Sequence, residues 1–230
     1  MHLPNGSKIF IEASNEPEHE VKGLDTLPFP PNPENSFVVL LTNVNNINSY
    51  QVGDTVLFSS SDAKILEGNV YRILSIGTGS GRIRLWPEDK IETLPVSAVV
   101  VNKGKIRRIT SWVELPCVQS IDKEGNEQNW YTYQCLNSGR EERQKTTKSA
   151  LFMSYTLAHD PGNPAYSIMK SREKSKTLMG AYMHIPRAKE LRYWSGGVSF
   201  DDVPNTAVNE METVTLRMAI RNGFKFLPSS

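Results

Sequence analysis

Apolar and polar residues alternate along many short runs of this 230-residue chain, and glycine turns separate the runs. Successive side chains of an extended strand point to opposite faces, so each run predicts a strand with one buried face. The clearest run spans residues 211–220, with apolar positions Val214, Leu216, Met218 and Ile220 between polar positions Thr213, Thr215 and Arg217. We therefore expect a mainly β protein, in which this run is a central strand with a wet polar face carrying Thr213 and Thr215.

The runs fall into three segments. Residues 1–36 predict an N-terminal strand, at 8–12, followed by an extended arm or linker, because residues 14–35 are rich in proline. Residues 37–103 predict a small, partly open, barrel-like domain, whose strands we place at 37–41, 55–58, 70–76, 82–86 and 96–101. Residues 104–230 predict a larger β domain, with strands at 111–118, 129–136, 150–158, 178–185, 191–200 and 210–220.

One helix interrupts the second β domain, near residues 164–175. Asn163 is a favourable N-cap and Pro164 suits the first helical position. Ala165, Ile168 and Met169 share one side of this helix, so we expect it to pack on a sheet through an apolar stripe.

Composition excludes several classes of protein. The chain has 26 Lys and Arg against 25 Asp and Glu, a net charge of +1, whereas proteins that grip nucleic acid are usually strongly basic. No apolar run approaches the length of a membrane-spanning helix, and residues 1–6 do not resemble the core of a signal peptide. We expect a soluble protein that is made in a cytoplasm and binds no membrane.

The residue types that often form metal or catalytic sites are scattered along this sequence. The four histidines show no metal-ligand spacing, and Cys117 and Cys135 lie in strand-like runs where small buried side chains are the simplest reading. His159 and Asp160 favour a turn cap over an acid–base pair. Residues 77–81 lack the Lys-Ser/Thr of a phosphate loop and predict a hairpin tip. We therefore predict no catalytic residue, no cofactor and no metal.

Residues 140–148 form the densest charge run, with members Arg140, Glu141, Glu142, Arg143, Gln144, Lys145 and Lys148. Two readings stay open. The run is either a solvated hairpin loop or a long loop that becomes ordered only against another subunit. Just before it, Trp130, Tyr131 and Tyr133 place rings on both faces of one strand, which favours burial by the core on one side and by a partner on the other.

Seven segments, taken in order along nearly the whole chain, resemble the major tail tube proteins of long, flexible-tailed bacteriophages. They are residues 1–7, 52–58, 66–73, 108–112, 140–144, 160–166 and 206–215. Each is a common turn or strand pattern, so their order and spacing carry the resemblance.

The resemblance implies a β-sandwich or barrel with one flanking helix, and residues 37–103 then look like an inserted decoration. It also implies hexameric rings stacked into a tube whose lumen conducts genomic DNA without sequence-specific binding. The implied partners are the tape-measure protein, the tail terminator and tail-tip proteins, and the implied location is the virion tail, after synthesis in the bacterial host cytoplasm. From this reading we expect residues 140–148 and the N-terminal arm to cross between subunits or rings, and Thr213 and Thr215 to lie near the lumen.

Three alternatives stay open at this point. A tail terminator or a secretion-tube protein would share the ring-forming sandwich. A small hydrolase would need Cys135 or His159 in an oriented catalytic group, and a single-strand nucleic-acid binder would need a more basic surface on residues 37–103.

Overall fold

Strands account for most of the chain in the computed structural model, which describes residues 6–25, 37–62, 66–77, 79–86, 104–136 and 139–229. The strands within these residues are Lys8–Asn15 (β1), His19–Asp25 (β2), Phe37–Leu41 (β3), Thr55–Ser61 (β4), Val70–Gly77 (β5), Arg82–Trp86 (β6), Gly104–Glu114 (β7), Val118–Glu124 (β8), Gln128–Tyr133 (β9), Glu142–Lys148 (β10), Leu151–Ala158 (β11), Met179–Ile185 (β12), Glu190–Asn205 (β13) and Thr213–Pro228 (β14). The helix α1 spans Pro164–Ser175, and short 3-10 helices span Val44–Ser49 and Pro186–Ala188. The prediction of a mainly β protein is confirmed.

Twelve of these strands form one antiparallel sheet, in the order β2-β3-β6-β5-β4-β7-β1-β12-β13-β14-β11-β8. The first strand in this order, β2, also pairs with β7, so the first six strands close into a barrel. A closed barrel has no unpaired edge. Among the described strands, β8 is therefore the one that stands at a free end of the order.

The long strand β7 belongs both to the barrel and to the open part of the sheet. Its first residues pair with β2 and β4, and its last residues pair with β1. A shared apolar cluster also joins the two parts, since Leu57 and Val70 of the barrel pack with Tyr193 and Leu227. The barrel is thus held firmly on the open sheet.

The predicted domain boundaries at residues 36 and 103 stay a prediction. The barrel also includes β2 and the first part of β7, which lie outside residues 37–103. His19–Asp25 forms a barrel strand where the sequence predicted an extended arm. The predicted strand at 96–101 and the prolines at 28–33 lie outside the described residues.

Most predicted strands are confirmed, and Gly77 and residues 79–81 lie at the predicted hairpin tip between β5 and β6. The predicted strand at 111–118 is wrong, because β7 ends at Glu114 and β8 begins at Val118. Pro116 lies in the turn between them, where a residue without a backbone N–H interrupts no ladder. The sequence reading missed β8 because six of its seven residues are exposed and none of the seven is buried.

The main core lies on one face of the open sheet. Val214, Leu216 and Met218 are fully buried there, as their alternation predicted. Helix α1 covers part of this face with Ala165 and Met169, and the predicted N-cap is confirmed, since Asn163 accepts a hydrogen bond from the Ala165 N–H at 2.9 Å. The barrel has a core of its own, whose buried members include Val39, Phe58, Ile73, Leu85 and Ile106.

Candidate functional site

The residues first considered for catalysis are not assembled into a reactive group. Cys117 lies in the β7–β8 turn and Cys135 follows β9, and both thiols are exposed, so the expectation that they are buried is wrong. His159 Nδ1 lies 3.2 Å from the Tyr166 hydroxyl, which also accepts the Asp160 N–H at 3.3 Å. His159 and Asp160 therefore close the turn before α1, as the sequence favoured.

A buried ionic cluster centred on Glu12 holds several elements of the fold together. The Glu12 carboxylate is fully buried and accepts hydrogen bonds from Arg107, from Arg172 at 2.9 Å and from the Gly180 N–H at 2.8 Å. Burial, together with the charge of Arg172, lowers the pKa of Arg107 to about 10, so the Arg107 guanidinium stays charged at neutral pH; burial also lowers the pKa of Arg172. The cluster ties β1, β7, β12 and α1 to one carboxylate.

An apolar groove of about 910 Å³ lies elsewhere on the chain. Its floor includes Met153, Met183, Ile220 and Phe224, and its lining contains no carboxylate, imidazole or thiol. Within the residues that the structure describes, no three His, Cys, Asp or Glu side chains group as a metal would require. No helix among them is long and apolar enough to span a bilayer.

The side of the open sheet opposite the core is mostly polar across four adjacent strands, with Phe152, Ala158 and Ala219 as its apolar members. Register places Thr215 between Thr156 of β11 and Asp201 of β13, and Thr156 faces Ser120 of β8. We call this surface the polar face, and its members are Ser120, Asp122, Glu124, Ser154, Thr156, Ser199, Asp201, Thr213, Thr215 and Arg217. The structure thus brings Thr213, Thr215 and Arg217, which the sequence placed on one strand face, together with seven residues that sequence reasoning did not select.

The polar face is mildly acidic. Beside the barrel, Arg221 lies on the same side of β14; the ten members themselves carry three carboxylates, on Asp122, Glu124 and Asp201, against the single cation of Arg217. That guanidinium is paired with Glu124 and lies over the Phe152 ring at 4.8 Å from its centroid. Hydroxyl groups and a small excess of negative charge therefore define the surface.

The charge run at 140–148 is mostly a strand, which corrects both readings of it as a loop. Residues 142–148 form β10, which pairs with β9 as a two-stranded hairpin beyond the main sheet. Glu127 and Ser149 bond to each other at the base of the hairpin (residues 126–136 and 139–149), which connects β8 to β11. All seven residues of β10 are exposed, so hydrogen bonding to β9, and not burial, holds them in place.

The hairpin has two chemically different faces. On one face Lys145 lies over the Trp130 ring at 5.6 Å, and Arg143 is the next residue of β10 on that side. On the other face Tyr131 and Tyr133 stack, and Tyr133 donates to Glu142 at 2.7 Å, a bond that raises the pKa of Tyr133. The expected burial of these rings does not occur within one chain, because Trp130 and Tyr131 are 52% and 60% exposed.

A polar sheet face, a free sheet edge and an exposed hairpin, without grouped catalytic side chains in the described residues, are features of a structural protein. The comparison with protein families agrees, because the family model described as phage tail tube protein, TTP, matches residues 89–229. The match covers more than half of the chain, and the chain therefore belongs to the phage tail tube protein family. It is a structural component of the virion and not an enzyme, and the family implies assembly into a tube with other tail proteins. No curated protein matches the chain.

Proposed function

We propose that six copies of this chain close into a ring, that the rings stack into the tail tube of a long, flexible-tailed phage, and that the lumen conducts DNA during ejection. Membership of the tail tube family supports the tube itself. The ring number, the type of phage and the passage of DNA are the proposal.

The observation that carries the proposal is the polar face. DNA held by many Lys or Arg contacts binds through its phosphates and does not slide freely. A wall with hydroxyl groups and three carboxylates against one paired arginine offers few such contacts. We therefore assign the polar face, including Thr213 and Thr215, to the lumen.

The free edge at β8 supports lateral closure of the ring. An unpaired edge strand exposes backbone donors and acceptors that a strand from another chain can satisfy. When one subunit's edge meets a different surface of the next, the contact is heterologous, and repetition closes a ring if the rotation allows it. We assign β8 to the subunit contact within the ring and the barrel to the outer decoration of the tube wall.

The tape-measure protein, the tail terminator and the tail-tip proteins are the proposed partners, at the lumen and at the two ends of the tube. We also propose that the segment from Arg140 to Lys148 contacts another copy of the chain. Its complete exposure on the hairpin supports this assignment, since such a strand can bury its side chains only against a second molecule.

Electron microscopy of the purified full chain tests the proposal. We expect cylinders of uniform diameter with sixfold end views. Single rings that never stack would favour a tail terminator, and a protein that stays monomeric at high concentration would overturn the proposal.

A charge variant tests the lumen assignment separately. Thr213→Arg with Thr215→Arg adds about twelve positive charges to each ring of six, so DNA ejection should slow while tubes still form. The matched control is Thr42→Arg with Ser171→Arg, which adds the same charge at exposed positions away from the polar face. Equal ejection rates in both variants, measured as DNA release from phage, would contradict the lumen assignment.

A further inference from the structure

Exposed apolar side chains are concentrated at the two opposite ends of the β8, β11, β14 and β13 strands. Trp130, Tyr131 and Leu136 are exposed on the hairpin, which continues from one end of β11. Val203, Val208 and Met211 are exposed on residues 202–212, which comprise the last residues of β13 and the turn after it at the other end of the sheet, and which we call the acidic loop. The eight residues of β11 separate these ends by about 26 Å.

The acidic loop carries carboxylates at Asp202, Glu210 and Glu212 and contains no Lys or Arg. Asp202 is paired with Lys170 at 2.6 Å. Glu212 accepts a hydrogen bond from Thr206, and neither Glu210 nor Glu212 has an ion-pair partner within the described part of the chain. The loop therefore presents two uncompensated carboxylates next to exposed apolar side chains.

The Trp130 face of the hairpin has the complementary chemistry. It presents the Trp130 ring, half of whose surface is exposed, together with the cations of Arg143 and Lys145. The six residues of β9 carry this face about 20 Å beyond the end of the sheet. The hairpin cannot reach the acidic loop of its own chain, since the sheet lies between them.

We propose that the Trp130 face of the hairpin binds the acidic loop of a second copy of this chain, head to tail along the strand direction. Trp130 would pack on Val208 and Met211, and Arg143 and Lys145 would pair with Glu210 and Glu212. Such a heterologous contact does not close on itself, so its repetition produces an open stack. The inference rests on the proposed function and identifies the hairpin and the acidic loop as the contact that joins one ring to the next.

Charge reversal on either surface tests the contact. Arg143→Glu with Lys145→Glu, or Glu210→Lys with Glu212→Lys, places like charges opposite each other. Each variant should raise the protein concentration needed for tube growth by at least about tenfold and leave single rings. The matched control is Lys22→Glu with Lys176→Glu, two exposed lysines outside both surfaces. Sedimentation and negative-stain images give the ring and tube fractions, and circular dichroism checks that each variant is folded.

The combined variant, with both surfaces reversed, makes the test specific. Opposite charges then face each other again, so tubes should return, and an equal mixture of the two single-surface variants should also form tubes. Normal tube growth in either single-surface variant would overturn the contact, as would failure of the combined variant to recover. Loss of rings as well as tubes in the wild-type chain would instead count against the proposed function.

Discussion

Replacing Glu12 by Gln is the perturbation whose energetic effect the structure defines best. The carboxylate is fully buried and is shared by Arg107, Arg172 and the Gly180 N–H. The substitution keeps the size of the side chain but leaves two guanidiniums without a counter-charge in the interior. Removing one partner of a buried ion pair costs about 3–5 kcal/mol, and we expect a loss in this range.

Denaturant unfolding of the full chain, with thermal unfolding beside it, measures the effect. For a chain of this size, about 3–5 kcal/mol corresponds to a fall in Tm of roughly 6–20 °C. Glu114→Gln is the matched control, because the Glu114–Lys8 ion pair is about half exposed and contributes only about 0–1 kcal/mol. Arg172→Met should cost less than Glu12→Gln, since it leaves one cation with one carboxylate.

The prediction is wrong if the free energy of unfolding of Glu12→Gln lies within about 1 kcal/mol of the wild-type value. It also fails if the Glu114→Gln control is destabilised as much, because the burial of the Glu12 cluster would then have no energetic consequence.

Three further predictions follow from local features. Burial, with the charges of Tyr193 and Glu114 nearby, raises the pKa of Tyr182 to about 12, so the folded state keeps a proton that the unfolded state loses near pH 10. The contribution of Tyr182 to the free energy of unfolding should therefore be complete below about pH 10 and fall as the pH rises towards 12. Unfolding curves at a series of pH values, recorded together with tyrosinate absorbance, measure this change. Deleting residues 141–147 should leave the rest of the fold intact and prevent tube growth, because these residues lie in the hairpin outside the main sheet; normal tubes by electron microscopy would refute the role of the segment. Gly68→Ala should destabilise the chain by about 1–3 kcal/mol in denaturant unfolding, because the new Cβ would lie 2.5 Å from Arg221 Cβ and the φ of Gly68 is +81°. The control Gly53→Ala shares the positive φ, but its new Cβ meets no neighbouring atom. An equal loss of stability in the control would exclude the clash with Arg221 as the cause.

The exposed strands show where sequence reasoning loses its signal. An alternating pattern arises only when one face of a strand is buried and the other is wet. In β8 and β10 neither face is buried within the chain. Their residues are therefore mostly polar and do not alternate with apolar ones, and such a pattern is typical of a loop. The sequence reading therefore missed the two most exposed strands, β8 and β10.

The polar face shows a second limit. Thr213 and Thr215 were selected as one strand face because β14 alternates strictly along its first residues. Their neighbours Asp122 and Asp201 lie far away in sequence, and no local pattern connects them. Only the register of β8, β11, β14 and β13 shows that these residues form one mildly acidic surface.

The sequence by itself determined the β class, most strand positions, the capped helix at 164–175 and the resemblance to tail tube proteins. Each of these depends on residues a few positions apart, where backbone geometry imposes a short period. Only the tertiary structure decided the closure of the barrel by β2 on β7, the free edge at β8 and the Glu12 cluster. The cluster joins residues 95 and 160 positions apart, and contacts of that kind depend on how the whole sheet pairs and curves.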